Sequence, residues 1–262
     1  MKKYALAMLC SVALIPAANA ADLGPAVKAP VLAPAPFAWT GFYIGGNAGW
    51  GRGDVKSSNL TTTTDGTLFG NPGFLGGPVT FTNADRNFDL DHDGFNGGVQ
   101  IGYNWQIDKA VLGIEADFQW SGFEGTDVFQ PTIDSPIATT DSKVGWYSTV
   151  RARLGYAFGQ FMPYVTGGLA VAHSSANLTL QPVAPAPVLT PFAASVTKTH
   201  VGYAVGGGVE FALNQNWSIK GEYLHLGLGS ESYDFDFGSA GSVHSDSKLS
   251  LDIARVGVNY RF

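Results

Sequence analysis

Alternation between apolar and polar residues is the feature that most constrains the fold of this chain. In residues 95–105, Val99 and Ile101 share one phase, and Gln100 and Gly102 occupy the other. Successive side chains of a β-strand point to opposite faces of its sheet, so a period of two predicts a strand. The pattern recurs in eight segments: residues 41–51, 95–105, 110–123, 146–158, 163–172, 200–213, 217–226 and 250–262. The sequence therefore predicts an all-β fold.

The connections between these segments differ in length in a regular way. Short connections at residues 106–109, 159–162 and 214–216 are expected to be tight turns. The other four, residues 52–94, 124–145, 173–199 and 227–249, are expected to be long loops. Alternating short turns and long loops are typical of antiparallel barrels in the outer membrane. We expect an eight-stranded antiparallel transmembrane β-barrel with up-and-down meander topology.

The composition of the two strand faces indicates which one contacts lipid. The polar face is rich in glycine and small residues, which suit the narrow interior of an eight-stranded barrel. The apolar face carries aromatic residues near both strand ends, as expected for two membrane interfaces. One group is Trp50, Trp120, Trp146 and Tyr223, and the other is Trp105, Tyr156, Phe158, Phe211, Trp217, Tyr260 and Phe262. The apolar face is therefore predicted to point outward.

The N-terminus predicts export. Lys2 and Lys3 precede an apolar run over residues 4–15, and Ala18 and Ala20 form a small-any-small cleavage site for signal peptidase. Residues 1–20 are thus a predicted signal peptide. Residues 21–38, rich in alanine and proline, are a predicted periplasmic linker, and residues 39–262 are the predicted barrel.

Charge and hydropathy exclude two classes of protein. With the signal peptide removed, 13 basic residues face 21 acidic ones, a net charge of −8. Nucleic acid is therefore not an expected partner, because its binding requires a basic face. After the signal, no run of about 20 apolar residues exists that would predict a membrane-spanning helix.

Charged residues recur in the phase that we predict to face the barrel lumen. They are Glu115, Asp117, Arg151, Arg153, Glu210, Lys220, Glu222 and Arg255. Buried charges must be paired, so one interpretation is an ion-pair network that plugs the lumen. The alternative is a charged constriction in a narrow pore. We favour the plug, because eight strands enclose a space just wide enough for side chains.

Two sequence features resemble a known family. The chain has an alternating C-terminal strand with Val258, Tyr260 and Phe262, and the motif WTGFYIGGN at residues 39–47 follows the linker. Together they resemble the alphaproteobacterial surface-antigen barrels, a family that belongs with the small OmpA-type barrel proteins. Unlike OmpA itself, this sequence is not expected to carry a periplasmic peptidoglycan-binding domain after the barrel. The resemblance implies that the C-terminal strand is an assembly signal for the barrel-assembly machinery. It also implies roles in envelope integrity and host-surface contact.

The expected function is structural. We expect a Gram-negative outer-membrane protein that contacts lipid and lipopolysaccharide and engages host or surface partners through its loops. Alternatives are a small diffusion porin and a haem or lipid receptor. No enzyme activity or cofactor is predicted, because no histidine has the spacing of a catalytic set. A metal site is not predicted either: residues 89–94 match the start of a calcium loop, but Gln100 stands where the bidentate glutamate belongs.

Overall fold

The computed structural model describes residues 37–69, 77–83, 88–129, 137–182 and 190–262. Residues 37–262 form one compact unit. The predicted signal peptide, its cleavage site at Ala18 and Ala20, and residues 21–36 of the predicted linker lie outside the described residues. No helix in the described ranges is both long enough and apolar enough to cross a membrane.

The fold is an antiparallel meander that closes on itself. Its strands are β1 (Gly41–Thr64), β2 (Val79–Asn83), β3 (Phe88–Ile107), β4 (Ala110–Phe129), β5 (Ile137–Tyr156), β6 (Phe161–Gln181), β7 (Phe192–Ala212), β8 (Trp217–Asp236) and β9 (Gly241–Arg261). Each long strand pairs with its neighbours in sequence, and β9 pairs with β1 to complete the ring. The short β2 lies outside the ring and pairs with the end of β1. The predicted eight-stranded antiparallel barrel is confirmed.

The alternation has the predicted direction in the half of the barrel nearest the short turns. There the apolar phase of each strand is exposed and the polar phase faces the lumen. Aromatic residues of both predicted groups, such as Trp50 and Trp105, lie on the outer surface, and Tyr203 joins the group distant from the short turns. Two rings of aromatic side chains thus border the apolar band, as in other outer-membrane barrels.

The prediction of four long loops is wrong. Strands of about 20 residues continue through most of these regions, whereas a bilayer needs only about 9–11 residues per strand. We call the strand segments beyond the outer aromatic ring the upper barrel: residues 52–64, 79–83, 88–94, 121–129, 137–145, 173–181, 192–202, 228–236 and 241–252. The amphipathic pattern is reversed there: Ala176 and Leu178 are buried, while Ser175 and Asn177 on the same strand point outward. The reversed pattern suits water outside and an apolar interior.

Two clusters of apolar side chains fill much of the interior from the outer aromatic ring to the tip of the upper barrel. One cluster, near the outer aromatic ring, includes Phe123, Leu226 and Leu251. A second cluster, nearer the tip, includes Leu68, Leu178 and Phe235. Burial of apolar area at about 25 cal/mol per Å² stabilises these layers as it would in a soluble protein.

Hydrogen-bonded pairing is interrupted on two sides of the upper barrel. The β7–β8 ladder ends at the pair Tyr203–Gly227, and the β3–β4 ladder ends at Asp93–Glu124. In β8 a bulge lies at this point, and Gly229 has a φ of 66°, which a residue with a Cβ rarely adopts. The bulge directs β8 away from β7, so the described parts of these two strands continue past this level without pairing with each other.

A charge on the outer surface should distinguish the membrane-spanning part from the upper barrel. Val165 is 60% exposed at the middle of the apolar band, and Asn177 is exposed further along the same strand. We expect Val165→Arg to lower the free energy of unfolding by about 2–4 kcal/mol, because it places a cation in hydrocarbon. Asn177→Arg should change it by less than about 0.5 kcal/mol, as for most surface substitutions. Equilibrium unfolding by denaturant in lipid vesicles would measure both, and equal effects would contradict the assigned membrane boundary.

Candidate functional site

The predicted inward charges lie together in one layer of the lumen. Glu115 and Asp117 project from β4, Arg151 and Arg153 from β5, Glu210 from β7, Lys220 and Glu222 from β8, and Arg255 from β9. All eight side chains are buried. We call this set the charge layer. It contains four carboxylates and four cations, so its formal net charge is zero.

Arg151 connects three carboxylates across the lumen. Its Nη2 lies 2.6 Å from Glu115 Oε1 and 2.8 Å from Asp117 Oδ2, and its Nη1 lies 3.0 Å from Glu222 Oε1. Its Nε donates to Thr149 Oγ1 at 2.8 Å. The planar guanidinium presents five N–H donors in a fixed fork, and this geometry allows one side chain to bridge strands on opposite sides of the barrel.

Glu115 is the most heavily shared carboxylate of the charge layer. Besides Arg151, it accepts hydrogen bonds from Lys220 Nζ at 2.9 Å to each oxygen and from the Tyr43 hydroxyl at 2.8 Å. Arg153 Nη1 lies 3.5 Å from its Oε2. Charge-assisted hydrogen bonds of this kind are about twice as strong as neutral ones, and they offset the cost of removing the carboxylate from water.

Arg255 closes the layer on the side of β9. Its Nη2 lies 2.6 Å from Glu222 Oε2 and 2.8 Å from Asp117 Oδ2, and its Nε donates to Glu222 at 2.7 Å. Arg151 and Arg255 therefore share both carboxylates. Side chains thus link β1, β4, β5, β8 and β9 across the lumen, in addition to the backbone ladder.

Arg153 forms a second centre, nearer to the short turns. Its Nη2 lies 2.7 Å from Glu210 Oε2, and its guanidinium stacks 4.0 Å from the centroid of the Tyr164 ring. Ser218 and Asn259 donate to the other oxygen of Glu210 at 2.6 and 2.9 Å. A cation stacked on a buried aromatic ring gains about 2 kcal/mol when it is desolvated.

The strand register brings opposite charges face to face. Glu115 is the direct cross-strand partner of Arg151, and Glu222 is the partner of Arg255. Neighbouring strands thus supply complementary charges at the same height, which is a stabilising arrangement in an antiparallel pair. The register is not evident from sequence, since it depends on the turn geometry between the strands.

Sequence reasoning missed the aromatic members of the site. Tyr43 and Tyr164 lie in the inward phase of β1 and β6 and bind Glu115, Arg153 and Glu222. Their position in the polar phase was the available signal. Room for the Tyr43 ring comes from Gly102, where an added Cβ would overlap the ring.

The mouth next to the short turns is closed by an aromatic side chain. Trp39 is buried there, and its Nε1 donates to the carbonyl oxygen of Gly159 at 3.0 Å. Phe37, which sequence analysis assigned to the linker, packs edge to face on Trp39, and the Arg261 guanidinium lies 4.5 Å from the Phe37 ring centroid. Met162 completes this apolar layer below the charges.

The other predicted residues lie apart from the charge layer. Val258, Tyr260 and Phe262 are on the outer face of β9 or at its end, and Tyr260 packs against Trp217 and Phe262. Residues 89–94, predicted to be a loop, belong to β3. Among the described residues no group of three or more histidine, cysteine or acidic side chains is placed to hold a metal ion.

Comparisons with known proteins assign the family. Residues 7–262 match the family model described as the outer membrane protein beta-barrel domain. The chain belongs to this family. It is 36% identical to the 31 kDa outer-membrane immunogenic protein of Brucella melitensis, over 90% of this chain and 89% of that protein. It is 32% identical to the 22 kDa outer membrane protein of Rhizobium leguminosarum bv. viciae, over 69% of this chain and 74% of that protein.

These relatives confirm the resemblance to alphaproteobacterial surface-antigen barrels and the predicted location in the outer membrane. Among solved structures, the structural alignment with the outer membrane protein OprG of Pseudomonas aeruginosa covers 86% of this chain and 98% of the OprG chain. Its identity is 13% and its TM-score 0.49.

Removal of one charge from the layer should be costly. We expect Glu115→Gln to lower the free energy of unfolding by about 3–5 kcal/mol, because buried cations would lose their shared carboxylate. The matched control is Glu124→Gln, since Glu124 pairs with Lys143 in a bridge whose side chains are more than half exposed. That change should cost less than about 1 kcal/mol. Denaturant unfolding in vesicles compares the two variants, and a Glu115→Gln effect as small as the control would argue against a tightly coupled layer.

Proposed function

We propose that this protein is a closed, non-conducting and non-enzymatic barrel that stabilises the outer membrane and presents a rigid upper barrel for surface contacts. The observation that carries the proposal is the filling of the lumen along its length. Trp39 and its neighbours occupy the mouth, the charge layer lies above them, and two apolar layers fill the upper barrel. Each layer alone would hinder passive diffusion of a hydrated solute.

The composition of the charge layer supports a plug more than a selective pore. A pore that selects ions requires a ring of one sign or an ordered path of ligands. Here the acidic and basic side chains bind each other across the lumen, as in the contacts of Arg151 with Glu115 and Glu222. Side chains that neutralise each other also cross-brace strands distant in sequence, so the proposed benefit is mechanical stability of the barrel.

The proposed partners follow from the surfaces. The apolar band would contact lipid chains, and the base of the upper barrel would contact lipopolysaccharide head groups. The barrel-assembly machinery would recognise the strand that carries Val258, Tyr260 and Phe262. Because the upper barrel consists of paired strands over most of its length, host or surface partners would meet a shaped surface rather than flexible loops.

A diffusion porin is the second candidate, and one observation favours it. Asp117 Oδ1, Arg153 Nε and Arg255 Nη1 are buried without a hydrogen-bond partner among the described residues. These atoms retain hydrogen-bonding capacity that water can satisfy, and a chain of waters would be the first element of a conducting path.

Conductance separates the two candidates. We expect refolded protein in a planar lipid bilayer to give no discrete current steps, because the lumen is filled at several heights. Folding would be verified beforehand by faster migration of the unboiled sample on a detergent gel, and a general porin in the same bilayer would serve as the positive control. Steady, reproducible steps from the folded protein would favour the porin.

Cysteine labelling tests the orientation on which the surface role depends. The one cysteine, Cys10, lies in the predicted signal peptide, so a mature protein would carry only an introduced thiol. We expect Asn177→Cys, in the upper barrel, to react with a membrane-impermeant maleimide on intact cells. Lys109→Cys, in a short turn, should react only after the outer membrane is opened. The reverse result would mean that the barrel has the opposite orientation in the membrane, and it would contradict the proposed surface role.

A further inference from the structure

The upper barrel contains two facing strand edges that do not pair with each other. Residues 192–202 of β7 pair with β6, and residues 230–236 of β8 pair with β9, but the β7–β8 ladder stops at Tyr203–Gly227. Both segments lie within the described residues, so the interruption is a property of two defined strands. We call it the β7–β8 seam.

The direction of the free backbone groups on β7 follows from two hydrogen bonds. Ala212 donates its N–H to Gln160 on the β6 side, whereas Leu213 donates its N–H to Trp217 on the β8 side. The β6–β7 ladder contains no bulge. Along the whole strand, the backbone groups of even-numbered residues therefore face β6, and those of odd-numbered residues face β8. The N–H and C=O groups of Ala193, Ser195, Thr197 and Thr199 therefore point into the seam.

The corresponding groups of β8 follow from a similar argument. Phe237 donates its N–H to Gly241 on the β9 side, and the β8–β9 ladder is regular from Ser230 to Asp236. The backbone groups of even-numbered residues hence point toward β7. They belong to Ser230, Ser232, Asp234 and Asp236.

A three-way hydrogen bond holds the two sides together at the base of the seam. Ser174 Oγ, His200 Nε2 and Tyr233 Oη lie 2.9–3.0 Å from one another. Burial raises the pKa of the Tyr233 phenol, so the hydroxyl keeps its proton and can donate. The side chains thus fix β8 against β6 and β7, while the backbone groups that point into the seam have no backbone partner among the described residues.

The two edges differ in how they are protected from other strands. Residues 192–197 of β7 contain no charged residue and no proline, the residue types with which natural proteins usually block an edge, and the first charged residue of the edge is Lys198, in the inward phase. Their inward side chains Phe192, Ala194 and Val196 are only partly buried. By contrast, the β8 edge carries two exposed carboxylates on its outer face: Asp234, whose Oδ1 contacts His244 Nδ1, and Asp236, whose Oδ1 accepts a hydrogen bond from the Gly238 N–H.

We propose that the β7 edge of the seam binds an extended cationic peptide by strand addition. The incoming strand would satisfy the backbone groups of Ser195 and Thr197, as in other cases of β-augmentation. Its inward side chains would be apolar and would cover Val196 and Phe192. Its outward side chains would be basic, because they would lie beside Asp234 and Asp236.

The peptide site rests on the proposed function only in requiring that the upper barrel face the outside of the cell. Peptide binding is measured on purified protein, and neither conductance nor membrane stabilisation enters the readout. A negative result in the peptide-binding experiment would not contradict the proposed plugged barrel. Likewise, measured conductance would not contradict the proposed peptide site.

The test uses the full refolded chain in a nonionic detergent and a fluorescein-labelled octapeptide of alternating valine and lysine. We expect a saturable rise in fluorescence anisotropy. Thr197→Pro should weaken binding about tenfold, since it removes one N–H donor and crowds the edge. That N–H faces the seam and not β6, so the variant is expected to fold. Thr197→Ala, which keeps the N–H, should bind as the wild type does.

Two further arms complete the experiment. An octapeptide of the same sequence, N-methylated at every residue, keeps the charge and loses the N–H donors of both strand edges, so it should not bind. Asp234→Asn combined with Asp236→Asn should weaken binding and reduce its salt dependence. Equal binding of the methylated peptide, equal binding by Thr197→Pro, or a dimer of the wild-type chain that Thr197→Pro dissolves would overturn the proposal. The last result would show that a second copy occupies the edge.

Discussion

Closure of the ring by the β1–β9 ladder is the constraint on which the rest of the structure depends. In hydrocarbon no water can satisfy a free backbone group, so a membrane-spanning sheet must have no open edge. Closure by eight strands also fixes the width of the lumen, and with it the side chains that the interior can hold. Glycines such as Gly102 and large residues such as Tyr43 and Arg151 therefore alternate around the interior instead of leaving a wide channel.

The charge layer follows from this narrow interior. Each inward carboxylate is forced into contact with cations from other strands, and the formal charges cancel within the layer. Glu115 illustrates the dependence, because it is held by Arg151, Lys220 and Tyr43 from three different strands. The contacts of the layer form only when all of its strands are in register. The pairing of each two neighbouring strands therefore depends on closure of the whole ring.

The sequence predicted the membrane-spanning half of the fold well and the upper barrel poorly. A strict period of two identified the eight strands and their outward face, and the inward phase identified all the charged residues of the layer. The upper barrel was missed because its pattern is reversed, with small polar residues outside, and such stretches resemble loops. Bulges make the pattern of the upper barrel harder to detect in the sequence. In β5 the inward side chains change from Tyr147 to Val144, three positions apart, and this spacing breaks the period of two. Side-chain partners could not be predicted, since they depend on register and on the tilt of the strands.

The position of the β7–β8 seam has a physical explanation in the change of solvent along the strands. Tyr203, in the last pair before the seam, lies in the outer aromatic ring, and the bulge with Gly229 follows at once. Below that level an open edge would expose backbone groups to lipid, at a cost of several kcal/mol for each group. Above it, water can bind the same groups, and the edge can persist until a better partner replaces that water. An exchangeable strand edge is therefore permitted only in the upper barrel, which is where the chain departs from full pairing.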